Sequence, residues 1–93
     1  IMDAEKAELI AINALTWILQ NPNYLSSFIG ITGVTPIDFR KNATETEFLG
    51  SILDFILSKD IYTLEFCASH DYEQQSISIA RQFLPGSHLP NWT

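Results

Sequence analysis

The sequence predicts an all-α fold, and three observations support this class. The 93-residue chain contains four glycines and four prolines, and nearly all of them lie where a helix would begin or end. Its two longest apolar segments carry polar residues at intervals of three or four, which is the spacing of one helix face. No segment alternates apolar and polar residues in the way of a half-buried strand. We therefore expect one domain of about six helices, three of them short, around one core.

The first half of the chain predicts three helices, each with its own start signal. Their expected bounds are Asp3–Gln20, Asn21–Ile31 and Thr35–Asn42. The Asp, Asn and Thr that open these segments are favoured N-cap residues, and the second and third helices continue with a proline in the first turn. Gly33 ends the second helix because glycine adopts positive φ at little cost.

The second half predicts three more helices. Their expected bounds are Thr44–Ser58, Asp60–His70 and Asp71–Leu84. Thr44 begins a capping-box pattern, Thr-x-x-Glu, and Asp60 and Asp71 are suited to cap the two helices that follow. Pro85 stops the last helix, and residues 85–93 form a tail.

Polar residues form a narrow stripe on each of the two longest predicted helices. The stripe consists of Asn13, Thr16 and Gln20 on the first helix and of Glu47, Ser51, Asp54 and Ser58 on the fourth. The positions around both stripes are almost all apolar. A helix with so narrow a polar face is expected at the centre of a core.

A shift of 38 residues superimposes the two halves of the chain. The superimposed pairs include Tyr24 with Tyr62, and Phe28 with Phe66. Between residues 14–34 and 52–72, five of 21 aligned pairs are identical. We expect two copies of one helical unit, about residues 3–42 and 43–84. They should form a pseudo-two-fold arrangement because neither copy has enough core alone.

The same residues carry a resemblance to a bacterial family. They form the patterns Leu25-x-x-Phe28-x-x-x-Thr32-Gly33-Val34-x-Pro36-x-x-Phe39-Arg40, Phe48-Leu49-x-x-Ile52-Leu53-Asp54-Phe55-Ile56 and a Leu-Pro-x-Trp-Thr ending. The chain resembles domain of unknown function family 3572, found mainly in alphaproteobacteria, over nearly its whole length. It departs from the family's Gly-x-Asp-Pro turns, since Thr35 replaces the first Asp and residues 70–73 lack Gly and Pro. The resemblance implies a bacterial cytoplasmic protein, and it supplies no activity and no site.

The charge balance argues against binding to nucleic acids. Five Lys and Arg stand against eleven Asp and Glu, a formal net charge of −6, whereas phosphate contacts need clustered cations. Residues 25–40 loosely resemble a helix-turn-helix, but the densest basic spot is the pair Arg40 and Lys41. A nucleic-acid-associated regulator is kept as an alternative function.

Other sequence features favour a cytoplasmic protein that does not bind membranes. No apolar run approaches the roughly 20 residues of a membrane-spanning helix. No export signal is recognisable. Cys67 is the single cysteine, so an intramolecular disulfide cannot form.

Cys67 and His70 are three residues apart on a predicted helix, with Asp71 and His88 as possible neighbours. Such a pair can contribute to a metal site or form a nucleophile and base. A metal needs more ligands at fixed geometry, however, and an activated thiol needs a third orienting group. We interpret Cys67 as a core residue and His70 as a last-turn residue favoured by the helix dipole. We predict no catalytic residue, no cofactor and no metal.

The tail carries one large apolar side chain, Trp92. Because a tryptophan can bury about 200 Å², the tail either folds back onto its own core or contacts a partner or second subunit. Tyr24 and Tyr62 could line the groove that receives it. The predicted interaction surface is therefore Tyr24, Tyr62, Leu89 and Trp92. 

The favoured function is a small helical protein-interaction module without catalytic activity. Its partner is an unknown protein or a second copy of the chain. This reading depends on the absence of catalytic and cofactor motifs from the sequence. A second alternative is a small-molecule binder or enzyme with a pocket between the two halves.

Overall fold

The computed structural model describes residues 1–86 and shows six α-helices in that range. Their bounds are α1 Ala4–Leu19, α2 Pro22–Thr32, α3 Pro36–Asn42, α4 Thr46–Leu57, α5 Asp60–His70 and α6 Gln74–Gln82. No strand occurs between residues 1 and 86. The predicted all-α class and the predicted order of helices are confirmed.

Helices α1 and α4 form the centre of the core. They pack against each other, α6 packs against both, α2 lies on α1 and α5 lies on α4. The largest fully buried side chains are Ile18, Phe28, Leu49, Ile52, Leu53, Ile56, Phe66 and Ile77. Both polar stripes lie outside this core, with Asn13 and Ser51 half-buried and the other members exposed. The narrow stripes therefore identified the central helices correctly.

Aromatic rings connect the two halves through the core. Trp17 stacks on Tyr24 with ring centroids 4.9 Å apart, and Phe55 stacks on Tyr62 at 4.7 Å. Tyr24 and Tyr62 then meet edge to face at 4.9 Å. Ring pairs of this kind contribute about 0.5–1.5 kcal/mol beyond the burial of their area. The two halves are thus joined by a continuous row of rings.

Several features of the structure follow the 38-residue offset. Helices α5 and α6 begin 38 residues after α2 and α3, and left-handed residues end α2 at Gly33 and α5 at Asp71. The ring contacts are reciprocal, since the first half gives Trp17 to Phe66 and the second gives Phe55 to Phe28. A duplicated unit requires such correspondences, although α6 packs on α1 and α4 more closely than α3 does. The duplication itself stays a prediction.

Three helix ends agree with the sequence signals. Asp3 caps α1, because its Oδ1 accepts the Lys6 N–H at 2.8 Å. Gly33 ends α2 with φ 74°. Thr35 and Asp38 form a capping box at α3, although the sequence indicated only a cap and an acidic residue there. These signals are local, so they could be identified from neighbouring residues alone.

Three predicted N-caps are wrong. Thr44 does not cap α4, whose N-cap is Glu45; the chain is still in a turn in which the Glu45 N–H donates to Asn42 O at 2.8 Å. Asp60 is the first residue of α5, and Lys59 precedes it as the N-cap. Asp71 ends α5 instead of beginning α6, since its φ of 58° is left-handed. Aspartate tolerates that conformation better than most residues.

The last helix is shorter than its sequence signal indicates. It ends at Gln82, and its N-cap is Glu73. Residues 83–86 continue as a turn that places Leu84 in the core, where it is 3% exposed. The proline signal at Pro85 therefore marks the end of this turn and not the end of the helix.

The capping box of α3 is expected to stabilise the protein in a pH-dependent way. Asp38 accepts the Thr35 N–H at 2.9 Å and the Thr35 hydroxyl at 3.0 Å. These bonds, the backbone one first, lower the pKa of the Asp38 carboxyl. A lowered folded-state pKa gives stability that is present above the ordinary value of about 3.9 and is lost as the pH falls through the folded value.

Thr35→Ala should lower the free energy of unfolding by about 0.5–2 kcal/mol at pH 7. It should also flatten the decline in stability below about pH 4. Urea unfolding at several pH values measures both effects. Thr44→Ala is the matched control, because Thr44 is exposed and makes no cap bond. Equal losses from the two variants would contradict the capping assignment.

Candidate functional site

Tyr24 and Tyr62, the predicted surface residues of the helical part, lie side by side between α2 and α5. Tyr24 is half-buried, and its hydroxyl donates a hydrogen bond to the Glu65 carboxylate. This bond, with some burial and the negative charge of Glu65, raises the pKa of Tyr24. Tyr62 is 6% exposed and stacks on Phe55. The structure thus brings the two tyrosines together, with Tyr24 as the more accessible one.

The other two predicted surface residues, Leu89 and Trp92, lie outside the described residues 1–86. His88, considered as a neighbour of Cys67, lies outside them as well. The prediction that Trp92 docks on this core or on a partner stays a prediction.

Cys67 and His70 lie in the last two turns of α5. Cys67 is buried at 4% exposure, and burial raises the pKa of its thiol. The His70 ring stacks on Tyr72 with centroids 6.0 Å apart, and its Nδ1 lies 2.9 Å from Ser69 Oγ. Between residues 1 and 86, no group of three or more His, Cys, Asp or Glu side chains is placed to hold a metal ion. Packing and a neighbouring hydroxyl account for the positions of Cys67 and His70.

The buried thiol of Cys67 is expected to react slowly. A raised pKa leaves less thiolate, and reagents reach the sulfur only when the helix opens locally. At pH 8, iodoacetamide should modify the folded protein at least about tenfold more slowly than the urea-unfolded protein. Mass spectrometry over time measures both rates. Equal rates would show that Cys67 is accessible and activated in the folded state.

The helix-turn-helix reading applies to α2 and α3. Arg40 and Lys41 are exposed at the end of α3, and Asp38 lies in its first turn. Arg40 also lines an apolar cleft of about 370 Å³ between α1 and α3, together with Leu19. The short α3 thus offers two neighbouring cations beside an apolar cleft.

A second apolar cleft, of about 390 Å³, lies between α1 and α6. It is lined by Ile1, Met2, Lys6, Leu9, Ile10, Tyr72, Ser76 and Ile79. Leu9 on one wall is 57% exposed, and Ile79 on the other is 40% exposed. Both residue types are usually buried. We call this surface the α1–α6 cleft.

The polar side chains of the α1–α6 cleft are largely engaged within the protein. The Tyr72 hydroxyl accepts a hydrogen bond from Asn13 Nδ2 at 2.8 Å, and Lys6 Nζ donates to Ile1 O at 2.9 Å. Across residues 1–86, no buried side-chain nitrogen or oxygen lacks a hydrogen-bond partner. The cleft therefore presents mainly apolar surface.

Sequence reasoning missed the α1–α6 cleft, although one signal was present. The polar stripe of α1 was followed from Asn13 to Gln20 and not toward the N-terminus. One turn before Thr16 the same outer face carries Ile12, and Leu9 precedes it by three residues. Apolar residues on the extension of a polar stripe indicate an exposed apolar surface.

Arg81 fixes the end of α6 against α4. Its Nε and Nη2 donate to the two carboxylate oxygens of Asp54 at 2.7 and 3.2 Å, and its Nη1 donates to Leu84 O and Pro85 O at 3.1 and 2.9 Å. The side chain of Arg81 is 13% exposed. The guanidinium lies over Gly50, the α4 residue at which the two segments come closest. This group orients the chain as it reaches Gly86.

The described helices define the class of the protein as a small all-α domain with α1 and α4 at its core. The chain belongs to the family described as Protein of unknown function (DUF3572), which matches residues 4–87. The resemblance stated from the sequence is therefore confirmed. No curated protein and no solved structure gives a significant match to the chain.

The described helices were also compared with the requirements of a membrane span. None of those between residues 1 and 86 combines the length and the apolar character needed to cross a bilayer.

Proposed function

We propose that the protein is a small helical protein-interaction module that acts through an apolar surface and not through catalysis. The α1–α6 cleft is the observation that carries this proposal. Its two walls expose Leu9 and Ile79 toward the same opening. A contiguous exposed apolar patch is typical of a site that binds another protein. Burial of these side chains by a partner would remove apolar area from water and so favour association.

A small-molecule site in the α1–α6 cleft is the second candidate function. The cleft lies between the two predicted halves, and its volume falls within the roughly 300–1,000 Å³ of ligand pockets. Specific recognition of a small molecule needs convergent polar groups, however. The Tyr72 hydroxyl and Lys6 Nζ already bond to Asn13 and Ile1. A protein partner therefore fits the cleft better.

The proposal includes a bacterial cytoplasmic location, which is supported by the sequence. A nucleic-acid-associated regulator has less support. Its basic spot consists of Arg40 and Lys41, and the net charge of the chain is −6. Phosphate binding depends on more cations than this pair offers. Leu89 and Trp92 are kept as a second candidate contact with a partner.

Affinity purification from the source cells tests the proposed function. Three tagged forms are compared: the wild type, the double variant Leu9→Ser/Ile79→Ser, and Ile37→Ser. Ile37 is the matched control, because it is 70% exposed on α3 and lies outside the α1–α6 cleft. Circular dichroism confirms that all three are folded.

A protein partner should be recovered in stoichiometric amount with the wild type and with Ile37→Ser, and it should be lost with the double variant. Recovery of the same proteins with all three forms, or of none, would contradict the proposal. Nucleic acid that is bound by all three forms and released by salt would favour the regulator.

A further inference from the structure

Acidic side chains lie beside the apolar residues of α1 at the α1–α6 cleft. Glu5 lies one helical turn before Leu9, and Glu8 lies one turn before Ile12. Residues four apart share a helix face. Glu5, Leu9 and Ile12 are all exposed, and Glu8 is half-buried. The outer face of this part of α1 thus combines apolar side chains with negative charge.

The opposite wall of the cleft is acidic as well. Asp71 and Glu73 flank Tyr72, which lines the cleft, and both are exposed. Lys6 is the cation in the lining, and its Nζ is engaged with Ile1 O at 2.9 Å. The other cations of the chain are Arg40, Lys41, Lys59 and Arg81, which do not line the cleft. An apolar floor with a mainly negative rim results.

We propose, on the basis of the interaction function above, that the α1–α6 cleft binds an amphipathic basic helix of another protein. Two packed helices leave a groove between them that suits the side-chain ridge of a third helix. Such a helix would place apolar residues at positions i, i+3 or i+4, and i+7 against Leu9 and Ile79. Its flanking Lys and Arg would face Glu5, Asp71 and Glu73. Complementary charge of this kind raises the association rate and selects the partner.

The charge of the rim disfavours a second copy of this chain as the occupant. A two-fold dimer would bring the same patch of both copies together. Glu5, Glu8, Asp71 and Glu73 would then face identical carboxylates, and like charges across an interface are unfavourable.

The chain's own C-terminal residues 87–93 also match the rim poorly. Their sequence, Ser-His-Leu-Pro-Asn-Trp-Thr, contains apolar side chains but no Lys or Arg. A separate basic helix is therefore the occupant whose chemistry complements both the floor and the rim.

A synthetic helix tests this inference directly. The probe is a fluorescein-labelled peptide of two Leu-Lys-Lys-Leu-Leu-Lys-Leu heptads with blocked ends, and binding to the full chain is followed by fluorescence anisotropy. One control peptide replaces every Lys by Glu, and another keeps the composition but scrambles the Leu positions. The protein variants are Leu9→Ser, Glu5→Gln/Glu73→Gln and the control Ile37→Ser. Thermal unfolding shows whether each variant is folded.

The Lys peptide should bind saturably to the wild type and to Ile37→Ser, and more weakly at high salt. Leu9→Ser should weaken this binding at least about tenfold. Glu5→Gln/Glu73→Gln should weaken it several-fold, and the Glu and scrambled peptides should bind poorly.

Three results would overturn the inference. Equal binding of the Glu peptide, or unchanged binding by Glu5→Gln/Glu73→Gln, would show that the rim does not select a basic partner, although a partner captured through Leu9 would still support the proposed function. Unchanged binding by Leu9→Ser would show that the Lys peptide binds elsewhere. A dimer of the free protein that Leu9→Ser dissociates would assign the cleft to a second copy.

Discussion

Replacing Phe28 or Phe66 by alanine is expected to lower the free energy of unfolding by about 3–5 kcal/mol. Both side chains are fully buried, so each truncation leaves a cavity and removes apolar area from the core. A domain of this size is stabilised by about 5–15 kcal/mol in total. Either change therefore removes a large fraction of the stability, and urea unfolding followed by circular dichroism measures the loss.

The two variants should also lose similar amounts of stability. Phe28 meets Phe55 at 5.4 Å, and Phe66 meets Trp17 at 5.7 Å, so the two rings occupy matching places in the two halves. Phe83→Ala is the matched control, because Phe83 is 45% exposed and should cost about 1 kcal/mol or less. A difference of more than about 2 kcal/mol between Phe28→Ala and Phe66→Ala would contradict equivalent packing of the two halves.

Gly50→Ala is expected to destabilise the protein, although glycine is a poor residue inside a helix. An added Cβ would lie 3.0 Å from Arg81 Nη1 and 3.0 Å from Pro85 O. Arg81 is held there by Asp54 and by two backbone carbonyls, so it cannot move without losing hydrogen bonds. The strain should cost about 1–3 kcal/mol, more than the roughly 0.5–1 kcal/mol gained from helix propensity.

Gly30→Ala provides the matched control for Gly50→Ala. Gly30 lies within α2, and an added Cβ would have no heavy atom within 4 Å. This variant should therefore gain about 0.5–1 kcal/mol. Thermal unfolding of both proteins at the same pH measures the difference. Stabilisation by Gly50→Ala as large as that by Gly30→Ala would show that Arg81 does not hold the α6 end against α4.

Much of the fold could be predicted because its signals lie close together in the sequence. Asp3, Pro22 and Pro36 mark helix starts through bonds or φ angles of adjacent residues. The polar stripes of α1 and α4 identified the two central helices in the same way. Thr44 and Asp71 misled because an N-cap and a left-handed or turn residue draw on the same residue types.

The candidate site could be predicted less well, because it depends on residues far apart in the chain. Leu9 and Ile79 became neighbours only when α1 and α6 packed together, and composition does not show which apolar residues packing leaves exposed. The contact of Arg81 with Asp54 and Gly50 is of the same kind. The repeat did place Tyr24 beside Tyr62, but it did not show that Tyr62 is buried.

Photo-cross-linking in the source cells tests the interaction function most directly. A benzophenone amino acid at position Leu9 lies at the α1–α6 cleft, and the same group at Ile37 is exposed on α3 as a control. The account predicts one discrete cross-linked protein from Leu9 and none from Ile37, with the cross-link mapped to an amphipathic basic helix. Absence of any product from Leu9, or the same products from both positions, would contradict the assignment of the cleft as the interaction surface.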